Sequence, residues 1–304
     1  MERFNLPYIV VFIPAYNEEE SIEEVIRKIK ETYQGPNQKD FVLDIIVVND
    51  GSKDNTFEAA QKAEVRKIVN HPYNKGLGAA TRTGLQTALE MNADVAVKID
   101  ADMQNDPKDI ETVVRPILDD QADSVFGSRL MGGLEYKMPF YRDMGNKFFA
   151  WLTSKITGLK VTDATTGLMA FHKRYLKIFT IIKDYNETQQ LIIDSWGKHM
   201  RVMEVSTVFH ERKTGQSFIK IGFKYPGIVI PTMIRMYMHF KPLRFFLTTG
   251  LIFIIVGILG GLHIIFNGGE TTLFGDAAVT ITTILGFQII FFGLLADQVS
   301  YRRK

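Results

Sequence analysis

The chain has 304 residues, 36 Lys plus Arg, 34 Asp plus Glu, and no cysteine. That length suits one large domain or two modest ones. A formal net charge of +2 gives no basis for a nucleic-acid partner, and the missing cysteines exclude disulfides, thiolate metal sites and a cysteine nucleophile.

In chain order, the apolar run Tyr8 to Ile13 reads as a buried strand. A helix follows, with Ile22, Val25, Ile26 and Ile29 on one face and Ser21 and Glu24 spaced as a capping box. Asp44 to Val48 and Lys67 to Val69 read as strands, Gly78 to Met91 as a helix, and Asp94 to Ile99 as another strand. Ser124 to Gly127 and Arg201 to Phe209 look extended. This alternation predicts an α/β fold with a parallel, doubly wound sheet.

The C-terminal part differs in kind, because only six of the 70 charged residues follow Arg244. Tyr225 to Pro242 reads as an amphipathic juxtamembrane segment, with Ile234, Tyr237 and Met238 among Arg235, His239 and Lys241. Leu243 to Phe266 and Ala277 to Ala296 are then strongly apolar stretches whose one charge is Arg244. As helices they would extend roughly 36 and about 30 Å, enough to cross a bilayer. The expected division is a catalytic domain at 1–224, the amphipathic segment at 225–242, and a transmembrane hairpin at 243–304 with spans 243–266 and 277–296.

The linker Asn267 to Asp276 carries acids but neither Lys nor Arg, whereas Lys241, Arg244, Arg302, Arg303 and Lys304 flank the pair. The positive-inside rule therefore puts the flanks and the large domain in the cytoplasm of a multi-pass membrane protein. The first residues have too short an apolar run for a signal peptide. Gly257 and Gly261, with Gly260 beside them, permit close helix approach within the hairpin or between copies in a homo-oligomer.

Open parallel sheets bind ligands beyond the carboxyl ends of their strands. Three polar clusters fall there: Pro14 to Glu18 after the first strand, Asn49 to Ser52 after the second, and Asp100 to Gln104 after the strand from Asp94. Asp100 and Asp102 are two apart, so extended backbone would aim both carboxylates at one ligand. Hard oxygen donors without nearby His or Cys favour Mg²⁺ or Mn²⁺. Substrate phosphates usually complete such a site, which points to a nucleotide diphosphate. Gly76 to Gly84 lacks the spacing of a dinucleotide fingerprint. None of the six histidines has metal-ligand spacing, and His210 reads as an ordinary loop residue.

The ordered segments VFIPAYNEEESI, VVNDGSKDNT, NKGLGAATRTG, KIDADMQNDP, GSRLMGG and DATTGLMAFHKR resemble the inverting glycosyltransferases of GT-A fold. The subgroup most similar is the dolichol-phosphate mannose synthase-like, polyprenyl-phosphate glycosyltransferases of glycosyltransferase family 2. The resemblance spans about residues 6–218. It implies that Pro14, Ala15, Tyr16, Glu18 and Asp50 hold the nucleotide. Asp100, Asp102 and Gln104 would hold the metal and diphosphate beside the backbone of Ala101. Arg129 and Arg142 would serve the acceptor phosphate, Arg212 the donor phosphates, and Asp163 the sugar pocket. Asn49 stands where the family often has Asp, and Phe218 stands where a lysine is usual, with Lys220 as a substitute.

The implied reaction moves a hexose from a UDP- or GDP-linked sugar to a polyprenyl phosphate at the cytoplasmic leaflet. A phosphate monoester, with a second pKa near ~6, is already an anionic nucleophile at neutral pH, so no strong base is required. Direct displacement with inversion follows, with Asp102, Arg129 and Arg142 as the central residues. Rival readings are transfer to a polysaccharide, transfer to a lipid hydroxyl with Asp163 as base, and an inactive nucleotide-sugar-binding scaffold. The chain lacks the Q-x-x-R-W signature of polysaccharide synthases.

Overall fold

The structure is a computed structural model that describes residues 6–35, 40–132, 140–212, 224–266 and 273–301. It divides into two compact units, 1–233 and 234–304.

The first unit opens with β1 (Tyr8–Ala15), α1 (Ile22–Tyr33), β2 (Val42–Asn49), α2 (Thr56–Lys62), β3 (Lys67–Asn70), α3 (Leu77–Glu90) and β4 (Val95–Lys98). It continues through α4 (Asp109–Leu118), β5 (Ser124–Ser128), α5 (Arg129–Gly132), α6 (Phe140–Thr157), β6 (Met169–His172), α7 (Lys173–Leu176), α8 (Glu187–Gly197) and β7 (Val202–Ser206). The seven strands lie in the order β3-β2-β1-β4-β6-β5-β7. All neighbours are parallel except β6, which runs antiparallel to both β4 and β5.

β1 is an interior strand, and alternation along it divides the core. Ile9, Val11 and Ile13 join one face with Ile22, Val25, Ile26 and Ile29 of α1 and Ile110, Val113, Val114 and Ile117 of α4. Phe12 points the other way, where α3 packs so closely that a Cβ on Gly84 would fall on the Phe12 ring. A sheet covered on both faces needs apolar residues at every position, which explains the continuous runs in β1, β2 and β4.

Several expectations are corrected. Ser21 does not cap α1; its backbone is already helical, and its hydroxyl donates to Glu18 Oε2 at 3.0 Å. β6 was not foreseen, because MAFH is short and its neighbours in the sheet come from distant sequence. The extended stretch from Arg201 holds a strand only to Ser206, and Phe209 instead forms an isolated antiparallel bridge with Asn105.

α9 (Lys224–Phe240) runs into the second unit, which otherwise comprises α10 (Pro242–Phe266) and α11 (Leu273–Tyr301). On α9, Val229, Met233 and Met236 are buried, whereas Ile234 is exposed. The membrane candidates Pro242–Phe266 and Gly275–Ser300 have mean hydropathies of 2.4 and 2.1, with only 11% of each buried. Ile252, Leu259, Phe291 and Phe292 are all exposed. A core helix of a soluble domain would bury such side chains, whereas a bilayer accepts them. The helices meet through glycine: a Cβ on Gly250 would lie 2.6 Å from Gly286 O, and one on Gly257 would strike Thr283. Gly261 has only an ordinary contact with Val279, so the seam uses Gly250 and Gly257 rather than Gly257 and Gly261.

Candidate active site

The loops after β1 and β2 are tied together at the carboxyl edge of the sheet. Asp50 N donates to Ala15 O at 2.8 Å, Asn17 N to Ser52 Oγ at 3.0 Å, and Lys53 N to Asn17 Oδ1 at 2.8 Å. Gly51 has a φ of +69°, and a Cβ there would meet Tyr73 Cα at 2.6 Å. The turn thus requires glycine, both for its backbone and for the close approach of the next loop. Asn49 Nδ2 donates to Asn70 Oδ1 at 3.0 Å, a bond that a carboxylate at this position could not donate. Pro14 and Ala15 end β1, and half-buried Tyr16 follows them.

Asp50 is buried and committed to its own chain. Its carboxylate lies 2.6 Å from His71 Nδ1 and accepts from the backbone N–H of Lys75 at 3.0 Å and Gly76 at 2.8 Å. It therefore orders the 71–76 loop at the site's edge.

Past β4 the backbone leaves the extended conformation, and Met103 has a φ of 62°. The alternation argument for Asp100 and Asp102 therefore fails, and a turn brings them together instead. Asp102 Oδ1 accepts from Gln104 N at 3.1 Å, closing an Asx turn. Burial, followed by the charge of Asp100, pushes the Asp102 pKa up to about 7. Ala101 between them is buried.

The segment after β7 is stitched across this turn. His210 N donates to Gln104 O at 2.8 Å, and Gln104 Nε2 donates to His210 O at 3.4 Å. His210 Nε2 lies 3.6 Å from Asp106 Oδ2, so His210 braces the segment. Arg212 is thereby delivered to the site: its Nη2 bonds both oxygens of Glu18 at 2.6 and 2.8 Å, and its Nη1 lies 3.6 Å from Asp102 Oδ2. Burial raises the Glu18 pKa, and the Arg212 charge opposes the rise.

Arg129 and Asp163, assigned separately to acceptor phosphate and sugar pocket, form one buried ion pair. Arg129 Nε and Nη2 bond Asp163 Oδ2 and Oδ1 at 2.7 and 3.1 Å, and the guanidinium carbon lies 4.7 Å from the centre of the Phe209 ring. Asn146 Nδ2 at 3.1 Å and Thr165 N at 3.0 Å complete the ring of donors around Asp163, which is 0% exposed. A carboxylate so enclosed is not free to serve as a base for a hydroxyl acceptor, contrary to that reading of Asp163. Arg142 lies in the first turn of α6, but its side chain, with Phe218 and Lys220, falls outside the described residues.

Three participants escaped the sequence reading. Lys98, at the end of β4, is 0% exposed, with Nζ 2.5 Å from Asp100 Oδ1 and 3.3 Å from Glu187 Oε1. Burial opposes the Lys98 charge, but the carboxylates of Asp100 and Glu187 outweigh it and raise its pKa. Glu187, brought by α8, is buried too. Gly167 packs against the same carboxylate: a Cβ there would fall on the Asp100 carboxylate and lie 2.7 Å from Asn105 Nδ2. The one visible signal was a lysine inside the otherwise apolar run VAVKI.

This arrangement suits a divalent cation of the magnesium type. Among the described residues no group of three or more His, Cys, Asp or Glu could hold a metal, so a cation here would need water and substrate phosphate as further ligands. The charge repulsion between Asp100 and Asp102 is what a dication would relieve.

Comparison with known proteins gives this geometry its family. The UDP-N-acetylglucosamine–dolichyl-phosphate N-acetylglucosaminyltransferase of Methanococcus voltae is 35% identical over 239 residues, covering 71% of this chain and 92% of that protein. The undecaprenyl-phosphate mannosyltransferase of Micrococcus luteus is 27% identical, covering 78% and 97%. Among solved structures, glucosyl-3-phosphoglycerate synthase from Mycobacterium tuberculosis, crystallised with Mn²⁺, UDP and phosphoglyceric acid, superposes with a TM-score of 0.58 at 20% identity, over 76% of this chain and 78% of that one. This likeness carries the fold. Residues 10–179, which include most of β1, the Asp50 loop, the Asp100–Asp102 turn and the Arg129–Asp163 pair, match Glycosyl transferase family 2, and the chain is a glycosyltransferase of that family.

Proposed function

We propose that this glycosyltransferase moves a hexose from a nucleotide-diphosphate sugar, UDP- or GDP-linked, to a polyprenyl phosphate. The observation that carries the reading is the Asp100–Asp102 turn with Arg212 beside it, at the carboxyl edge of a sheet in a chain that also has two exposed apolar helices. Relatives named for dolichyl- and undecaprenyl-phosphate acceptors support the acceptor class.

Asp100, Asp102 and Gln104 would hold Mg²⁺ or Mn²⁺ with the donor diphosphate, alongside the backbone of Ala101. When bound, the cation neutralises charge on the departing nucleotide. Pro14, Ala15, Tyr16 and Glu18 would line the nucleotide site, and Asp50 would shape it through the 71–76 loop. Arg129 sets the floor of the sugar and acceptor region through its pair with Asp163, while Arg142 would meet the acceptor phosphate directly.

The acceptor phosphate is an anion at neutral pH. It attacks the anomeric carbon as the bond to the nucleotide diphosphate breaks, and the configuration inverts. No side chain need remove a proton, in keeping with the enclosure of Asp163. In this reading the catalytic domain at 1–224 is cytoplasmic, followed by a juxtamembrane segment at 225–242 and a transmembrane hairpin at 243–304, an order that suits an acceptor whose phosphate faces water and whose tail lies in lipid. Detergent-solubilised protein with polyprenyl phosphate and a panel of labelled UDP- and GDP-sugars, assayed in Mg²⁺ and in Mn²⁺, should yield one lipid-linked product with an inverted anomeric centre. Retention of configuration would refute direct displacement.

A further inference from the structure

The Lys98–Glu187 pair lies beneath the proposed metal site and has no role in the reading above. Lys98 Nζ sits between two carboxylates, 2.5 Å from Asp100 Oδ1 and 3.3 Å from Glu187 Oε1. Gly167 O lies 3.5 Å away. The lysine and Glu187 side chains are 0% and 5% exposed, whereas Asp100 is 30% exposed. Asp100 therefore has a buried side facing an ammonium and an open side facing the cleft. Glu187 belongs wholly to the interior.

Resting on the proposed metal site, we infer that Lys98 is a built-in counter-ion that an arriving divalent cation must displace from Asp100, and that Glu187 is the partner that receives it. Asp100 cannot give its full charge to two cations at once. As it turns to the metal, the buried ammonium would lose its nearest partner, and an unpaired buried charge is strongly unfavourable. Glu187 prevents that outcome by already standing within ion-pair distance. Lys98 and Glu187 are thus positioning residues: they set how tightly the site holds its cation without touching it. Gly167 leaves room for the Asp100 carboxylate, since any Cβ there would occupy its volume.

The two partners predict opposite effects, which a merely structural role would not produce. Mn²⁺ is titrated into the detergent-solubilised full chain with UDP, and separately with GDP, while the paramagnetic resonance of free Mn²⁺ is followed. Glu187→Gln should bind Mn²⁺ about tenfold more weakly, because the ammonium then belongs to Asp100 alone. Lys98→Met should bind it about tenfold more tightly, because the competing cation is gone. Should Lys98→Met fail to fold, the near-isosteric Glu187→Gln decides alone: weaker binding supports the exchange, and unchanged or tighter binding overturns it. Equal losses in both variants would also overturn it while leaving the metal site standing. Absence of Mn²⁺ binding by the unaltered chain with either nucleotide would overturn the metal site and this inference together.

Discussion

Asp102 shows how a single side chain can be costly to a fold and useful to a reaction. It is half-buried beside Asp100, and its charge is disfavoured even though Arg212 partly compensates it. Asp102→Asn should preserve the fold by circular dichroism and cut turnover by at least ~100-fold, the usual scale for losing one electrostatic contact to a reacting phosphate. Near-normal turnover would remove Asp102 from the site. Gly167→Ala tests the packing against the same turn. Its Cβ would collide with the Asp100 carboxylate, so Mn²⁺ binding should weaken about tenfold or more and the melting temperature should fall. The paired aspartates were legible in the sequence because their spacing and their place after a strand carry the signal. Lys98, Glu187 and Gly167 were not, because 69 residues separate Lys98 from Gly167 and only the folded chain brings them together.

Among the elements, α5, α6 and the loop before β6 meet on one carboxylate. Asp163 accepts from Arg129, Asn146 and Thr165, while Glu204 of β7 takes the backbone N–H of Thr162 at 2.8 Å and of Asp163 at 3.2 Å. Asp163→Asn would leave the Arg129 guanidinium without its counter-ion in a site that is nearly closed. A loss of about 3 kcal/mol, read from denaturant midpoints, is expected. A change below about 0.5 kcal/mol would mean that the pair is ornamental. The sequence indicated Arg129 and Asp163 as functional without indicating that they bind each other, since pairing across 34 residues leaves no periodic trace. The strands were legible as apolar runs between turn residues, but β6 was missed because its direction is a property of the assembled sheet. In the hairpin, composition revealed two spans, and the contacts then selected Gly250 and Gly257 as the seam. Gly257→Leu should destabilise the hairpin by roughly 1–3 kcal/mol through overpacking, lowering the melting temperature in detergent without altering nucleotide binding.

At the scale of the molecule, the uneven charge noted at the outset corresponds to two units with different solvents. One unit has a sheet covered on both faces and a charged rim; the other has apolar side chains facing outward along both helices. Because the chain lacks cysteine, its orientation can be read with single substitutions. Thr271→Cys, in the linker between the spans, should react with an impermeant maleimide on intact cells. Lys62→Cys, on the exposed end of α2, should react only after permeabilisation. The reverse pattern would invert the proposed topology.

The central claim is that the acceptor is a lipid phosphate, and the most direct measurement is acceptor-dependent transfer by the purified full chain. With Mn²⁺ and the productive labelled nucleotide sugar, label should enter the organic phase when polyprenyl phosphate is supplied. It should not do so with polyprenol or diacylglycerol, and chelation or Asp102→Asn should abolish it. Transfer to diacylglycerol or polyprenol at a rate equal to that for polyprenyl phosphate, or no transfer from any donor, would contradict the account.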